Sequence, residues 1–89
     1  MSTKAEWMRN VQMNVSLSTG QSAGVTAWLD DAVGDDLLVD PDMTSAEIAR
    51  IHGLSASTLT TALRKLRKKG LIVHSTADGC EKLRIRNRW

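Results

Sequence analysis

Three Ser/Thr-x-x-Glu/Gln signatures set where helices begin in this 89-residue chain. In such a capping box, the hydroxyl and the Glu or Gln side chain each satisfy a backbone N–H that the first helical turn leaves without a partner. The signatures are Thr3 with Glu6, Ser18 with Gln21, and Thr44 with Glu47. They predict three helix starts in the first half of the chain.

Apolar residues follow each start at helical spacing. The sets are Trp7, Met8 and Val11 in the first helix, Val25, Trp28, Leu29, Ala32 and Val33 in the second, and Ile48, Ala49 and Ile51 in the third. Gly34 and Gly53 are the expected stops of the second and third helices. We expect Trp7 and Trp28 in the core. Residues 37–39 can form a short strand before Asp40-Pro41, which forces an extended or turning chain.

Residues 56–69 predict a fourth helix with one apolar and one polar face. At about 100° per residue, its apolar side chains form a single stripe, which consists of Leu59, Ala62, Leu63 and Leu66. The other face carries hydroxyls and cations, namely Ser57, Thr60, Thr61, Arg64, Lys65, Arg67 and Lys68. Gly70 ends the helix.

The last part of the chain has the pattern of a β-hairpin. A run from Leu71 to Ser75 precedes a turn over residues 76–79 and an alternating run over residues 80–86. In the second strand, Leu83 and Ile85 point one way, and Lys82, Arg84 and Arg86 form an exposed row on the other side. The predicted fold class is therefore α+β, mainly α with a small β-hairpin, in the order helix, helix, short strand, helix, helix, hairpin.

The net charge of +2 conceals two unequal halves. Residues 1–43 hold two basic and seven acidic residues, a net charge of −5, whereas residues 44–89 hold ten basic and three acidic residues, a net charge of +7. This asymmetry favours a polyanion as the partner of the second half. Charges that only keep the surface hydrated are the alternative.

Length and composition exclude several classes of protein. A chain of 9.8 kDa has room for one small domain. No apolar run reaches the ~18 residues of a membrane span, and the first residues lack the pattern of a secretory signal. Cys80 is the one cysteine, so an internal disulfide and a cysteine-cluster zinc site are excluded. We expect a soluble, cytoplasmic protein with no membrane partner.

Residues 44–63, TSAEIARIHGLSASTLTTAL, resemble the bihelical motif of winged helix-turn-helix DNA-binding domains. In this comparison Ala49 is small where the two helices cross, Gly53 and Leu54 form the tight turn, and Leu59 and Ala62 return to the core. The hairpin resembles the wing, and the upstream residues are similar to the opening of small phage and plasmid regulatory or replication domains. The resemblance implies one domain over residues 1–89, with an N-terminal helical segment at 3–17, a helix-turn-helix at 44–69 and a wing at 71–87.

The resemblance further implies that helix 56–69 enters the major groove of double-stranded DNA and that the wing lies on the backbone or in the minor groove. Hydroxyls and arginine suit base edges, and the remaining cations suit phosphates. The candidates for reading bases are Ser57, Thr58, Thr60, Thr61 and Arg64. The candidates for phosphate or minor-groove contact are Lys65, Lys68, Lys82, Arg84, Arg86 and Arg88.

Sequence-specific transcription regulation is the leading functional interpretation. A homodimer is expected, because one recognition helix reads only a few base pairs. Its interface could come from the N-terminal helix, with Trp7, Met8 and Met13, or from Trp89. Two alternatives remain open: a phage or plasmid replication or recombination accessory protein, and a protein-binding winged helix.

Catalysis is not expected, and no cofactor is predicted. The sequence has no phosphate-binding glycine loop and no nucleophile beside a plausible base. The six aspartates between Asp30 and Asp42 lack the spacing of a calcium loop, so we interpret them as a solvated face that DNA repels. His52 is expected to pack with a local hydrogen-bond partner, and His74 to be an exposed strand residue, with phosphate contact as its alternative.

Overall fold

The computed structural model describes residues 3–77 and 79–86. They form four helices and one antiparallel hairpin: α1 (Thr3–Asn14), α2 (Thr19–Ala32), α3 (Ser45–His52), α4 (Ala56–Lys68), β1 (Ile72–Ala77) and β2 (Cys80–Ile85). This architecture confirms the predicted α+β class, which is mainly helical with a hairpin after the last helix.

The predicted capping box of α2 is present in full. Ser18 Oγ accepts a hydrogen bond from the Gln21 N–H at 3.1 Å, and Gln21 Oε1 accepts one from the Ser18 N–H at 3.0 Å. The helix ends at Ala32, one residue earlier than the apolar pattern suggested, and Val33 is already extended. A hydroxyl cap of this kind contributes about 1 kcal/mol to helix stability.

Hydroxyl caps also begin α3 and α4. Thr44 Oγ1 accepts from the Glu47 N–H at 3.2 Å, as predicted, but the Glu47 carboxylate forms an ion pair with Arg50 one turn further on. Ser55 Oγ accepts from the Thr58 N–H at 3.3 Å, which places the start of α4 at Ala56. The predicted starts of α3 and α4 are therefore confirmed.

A left-handed glycine makes the turn between α3 and α4. Gly53 has φ 66, and the N–H of Leu54 reaches back to the carbonyl oxygen of Ala49 at 2.8 Å. Ala49, Leu59 and Ala62 are all buried. Because the two alanines are small, α3 and α4 cross closely. The tight turn expected at Gly53 and Leu54 is confirmed.

The core draws on every helix and on both strands. Trp7 and Trp28 are both buried, as predicted, and their ring centroids lie 6.2 Å apart at 47°. The indole N–H of Trp7 donates a hydrogen bond to the carbonyl oxygen of Arg86 at 3.1 Å. Helix α1 is thereby joined to the residue that follows β2.

The hairpin is longer than its sequence suggested. Strand β1 continues through Thr76 and Ala77, which pair with Glu81 and Cys80, so the assignment of these two residues to the turn was wrong. Backbone pairing extends to the two-residue connection because no proline interrupts it. Asp78 lies outside the described residues, and Gly79 has φ 77.

Residues 37–39 lie along β2. The N–H of Val39 donates to the carbonyl oxygen of Leu83 at 2.8 Å, and the N–H of Ile85 donates to that of Leu37 at 3.0 Å. The pairing with β2 is an isolated bridge from Leu38 to Arg84, and a second bridge joins Val39 to Val33 just after α2, so the predicted short strand is confirmed only in part. This segment fixes the acidic 35–42 region against the hairpin.

The exposure of two apolar side chains bears on the sequence predictions. Ile51 was placed with the apolar residues of α3, yet it is 54% exposed. Helix α3 has only eight residues, and its packing on α2 and α4 buries Ile48 and Ala49 but not the residue near its end. Met13 on α1 is 74% exposed, whereas Trp7 and Met8 are buried and are not available to a partner.

Candidate nucleic-acid interface

The centre of the exposed α4 face carries polar and basic side chains that lie opposite the core. Ser57, Thr61, Arg64 and Lys68 are exposed, while Leu59 on the opposite side is fully buried. Within the described residues, Thr61, Arg64 and Lys68 form no side-chain hydrogen bond or ion pair. Ser57 Oγ lies 3.0 Å from Ser55 Oγ at the N-terminus of the helix. Thr61, Arg64 and Lys68 are therefore free to meet a ligand, whereas the Ser57 hydroxyl is engaged with Ser55.

One edge of this face lies against the start of α2. Thr58 is half-buried beside Gly20. The ammonium group of Lys65 donates to the carbonyl oxygen of Ser16 and to Gln21 Oε1, both at 3.2 Å. These two hydrogen bonds hold the ammonium group of Lys65 beside the N-terminal cap of α2, at the edge of the α4 surface.

The other edge of α4 borders a cavity of about 360 Å³, which we call the α4–hairpin cleft. Thr60, Arg64 and Arg67 lie along its α4 side. Apolar walls come from α2, from the segment before α3, from α4 and from the hairpin, namely Trp28, Met43, Leu63, Ile72 and Leu83. Asp40 also lines the cleft. Two of the cations of α4 therefore border an apolar cavity instead of a flat surface.

A chain of polar side chains links α4 to the hairpin. Arg67 Nη2 lies 3.4 Å from His74 Nε2, and His74 Nδ1 lies 3.0 Å from Glu81 Oε1. Since a guanidinium can only donate, His74 Nε2 is the acceptor in its contact with Arg67. His74 is exposed, as predicted. The face of the hairpin next to α4 therefore carries a histidine and a glutamate.

The predicted basic residues of the hairpin lie on its outer face. Ser75 pairs with Lys82 and Val73 with Arg84, whereas His74 pairs with Leu83 on the side of the core. Arg84 and Arg86 are exposed, but Lys82 is half-buried and lines a cleft with several aspartates, including Asp40. The prediction of a fully exposed row is wrong for Lys82, because residues 37–39 bring the acidic segment beside it. Arg88 and Trp89 lie outside the described residues.

Acidic side chains concentrate near the end of α2, whereas the charged side chains of α4 are all basic. Helix α4 contains no acidic residue, while Asp30, Asp31, Asp35 and Asp36 are exposed at the end of α2 and just beyond it. His52 Nε2 lies 2.6 Å from Asp31 Oδ2, so the predicted hydrogen-bond partner is present and comes from α2. His52 itself is exposed, so the expectation that it packs in the fold is wrong.

The charge of α3 is set locally. Arg50 donates a hydrogen bond to Glu47, and this bond, together with the negative charge of Glu47, raises the pKa of Arg50. The guanidinium therefore stays ionised. Across residues 3–77 and 79–86, no three His, Cys, Asp or Glu side chains gather where they could hold a metal ion. Within the same ranges, no helix has both the length and the apolar character needed to cross a membrane.

The segment that builds this surface matches a known family. Residues 37–73, less than half of the chain, match a family model described as winged helix-turn-helix DNA-binding. The match spans the bridged 37–39 segment, α3, α4 and the first two residues of β1. No curated protein matches the chain. The match over residues 37–73 and the arrangement of four helices with a hairpin are consistent with a winged helix-turn-helix fold.

Sequence reasoning found the exposed face of α4 but missed the cleft beside it. Helical periodicity already places Arg67 near Thr60, and strand alternation places His74 and Glu81 on one face. Neither of these two patterns gives the distance between α4 and the hairpin. The contact between Arg67 and His74 depends on that distance.

Proposed function

We propose that this protein binds double-stranded DNA in a sequence-specific manner and regulates transcription, with α4 as the recognition helix. We propose that it acts in the cytoplasm as one winged-helix unit over residues 1–89, without catalytic activity. The observation that carries the proposal is the exposed face of α4, where hydroxyls and cations occur without a single acidic side chain.

The dimensions and the donors of α4 suit the major groove. The groove is about 12 Å wide, and a helix with its side chains is about 10–12 Å across. Arg64 has no competing ion pair among the described residues, so its guanidinium is available for a bidentate contact with guanine. Hydroxyl groups can approach either base edges or phosphates. We assign base reading to Ser57, Thr60, Thr61 and Arg64, with a smaller share for half-buried Thr58.

Phosphate contact is assigned to cations around this face. Lys65 on the α2 side and Lys68 at the end of α4 flank the reading residues, and Arg84 and Arg86 extend the charge onto the hairpin. Lys82 contributes less, because it lies beside aspartates. Release of counterions by these contacts makes binding salt-dependent. The acidic end of α2 repels DNA and so favours approach by the basic side.

A homodimer fits the short reading surface. One helix covers a few base pairs, and twofold pairing on a pseudo-palindrome doubles the readout. Met13 is the exposed apolar side chain of α1 that such an interface could use, since Trp7 and Met8 are buried.

Selection of bound duplexes from a random pool, followed by titration of the selected duplex across salt, tests the proposal. Enrichment of a pseudo-palindrome supports a dimer, and occurrence of the enriched sequence beside a promoter in genomic DNA supports a regulator. Its occurrence within a replication or recombination origin would favour an accessory factor instead. Absence of any enriched sequence would contradict sequence-specific binding and favour a protein-binding module.

A further inference from the structure

The α4–hairpin cleft combines an apolar interior with charged side chains at its edge. Trp28, Ile72 and half-buried Leu63 lie on its walls, and its volume of about 360 Å³ falls within the ~300–1,000 Å³ typical of small-molecule sites. An exposed apolar cavity of this size is costly to hydrate, so an apolar group that displaces its water is favoured.

The charges around the cleft determine which apolar molecule it suits. Arg64 and Arg67 supply two exposed guanidiniums, and among the described residues Asp40 is the single acidic one in the lining. The Asp40 carboxylate already accepts a hydrogen bond from the Asp42 N–H at 2.9 Å. Guanidinium groups bind carboxylates through paired, charge-assisted hydrogen bonds. The lining therefore selects a negatively charged head with an apolar body.

We propose that the α4–hairpin cleft binds a small organic carboxylate with an apolar body. Its carboxylate meets Arg64 and Arg67, and its apolar part contacts Leu63, Ile72 and Leu83. Trp28 borders the same cavity, so occupancy changes the environment of an indole ring.

Occupancy of the cleft has a consequence for DNA that rests on the proposed function. Thr60 and Arg64 line the cleft and also belong to the proposed reading face. The carboxylate and DNA compete for the same guanidinium, so each lowers the apparent affinity of the other. The ligand then acts as an effector that releases DNA.

Octanoate and its uncharged analogue octanamide are the probes, used at matched ionic strength and below the concentration at which either aggregates. Isothermal titration and tryptophan fluorescence should show saturable one-to-one binding of octanoate, at least tenfold tighter than that of octanamide. Equal binding of the two would overturn recognition of the carboxylate, and no saturable binding of octanoate would overturn the site.

Three single substitutions locate the binding. Arg64→Gln should weaken octanoate binding at least fivefold, and Asp40→Asn should tighten it about two- to fivefold. Lys68→Gln removes the same charge from α4 outside the cleft and should change affinity less than twofold. A loss with Lys68→Gln as large as with Arg64→Gln would mean general attraction to a basic helix and would overturn the proposal. Thermal melts establish that all three variants are folded.

Competition with the selected duplex separates this inference from the proposed function. Octanoate should weaken DNA binding by wild-type protein, and octanamide at the same concentration should not. If octanoate binds but no duplex is selected, the function fails and the site stands. If a duplex is bound but octanoate neither binds nor competes, the site fails and the function stands.

Discussion

The indole N–H of Trp7 and the carbonyl oxygen of Arg86 lie 3.1 Å from Nε1 to O, although 79 positions separate them in the chain. This hydrogen bond connects α1 to the end of the hairpin across the core. The N–H of Arg86 in turn donates a hydrogen bond to the carbonyl oxygen of Leu71, at the start of the hairpin, at 2.8 Å. The register of the hairpin base and the position of α1 are therefore coupled.

Trp7→Phe should lower the free energy of unfolding by about 1–3 kcal/mol, because it removes a hydrogen bond and leaves a small cavity. Urea denaturation followed by circular dichroism measures the change. Met13→Ala on the same helix removes a 74% exposed side chain and should cost less than about 0.5 kcal/mol. Equal effects of the two substitutions would show that the contact of Trp7 with Arg86 contributes nothing.

Gly53→Ala should destabilise the protein by about 1–2 kcal/mol, since a Cβ in the left-handed conformation is strained. Apart from Gly53 and its two neighbours, no atom of the described residues lies within 4 Å of the added Cβ, so the cost is one of backbone conformation and not of collision. Gly20→Ala is the matched control. Its Cβ meets Thr58 Cγ2 at an ordinary 3.7 Å within α2, and it should stabilise by up to about 1 kcal/mol. Destabilisation by both would contradict the distinction.

Lys65→Gln and Lys68→Gln should separate anchoring from phosphate contact. Both substitutions should weaken binding to any duplex and lower the salt slope by about 1, because each removes one proposed phosphate contact. Lys65→Gln should in addition cost about 0.5–1 kcal/mol of stability through its lost bonds to Ser16 and Gln21. Filter binding across salt and urea denaturation provide the two readouts. Identical stability of the two variants would show that the Lys65 contacts are unimportant.

Arg64→Ala should lose about 1–3 kcal/mol on the selected duplex and relax the preference at one base position. Arg84→Ala should instead weaken selected and random duplexes alike and reduce the salt slope by about 1. Repeating the selection with each variant measures the preference. If Arg64→Ala lowers affinity for random DNA as much as for the selected site, α4 does not read bases through this side chain.

The elements could be predicted from the sequence because their signals are local. Ser18 and Gln21 interact within one helical turn, and the stripe through Leu59 and Leu66 depends only on periodicity. The exposure of Ile51 could not be predicted in this way. It depends on where the short helix α3 meets its neighbours, which no local pattern records.

One part of the candidate site could likewise be predicted from local sequence patterns, and another part could not. The exposed residues of α4 follow from the helical wheel, whereas the position of Lys82 beside aspartates follows from the pairing of residues 37–39 with β2. That pairing joins segments more than forty residues apart. The α4–hairpin cleft is likewise a tertiary feature, since its walls come from four different parts of the chain.

Within the part of the chain that the structure describes, the side chains of Thr61, Arg64 and Lys68 form no hydrogen bond or ion pair, and this has an evolutionary consequence. Core residues lie on the other side of the same helix, so substitutions at these three positions leave its packing intact. Binding preference can then drift at little folding cost, and new targets become accessible through single mutations. A combinatorial library confined to these three codons would sample new recognition properties on an unchanged scaffold.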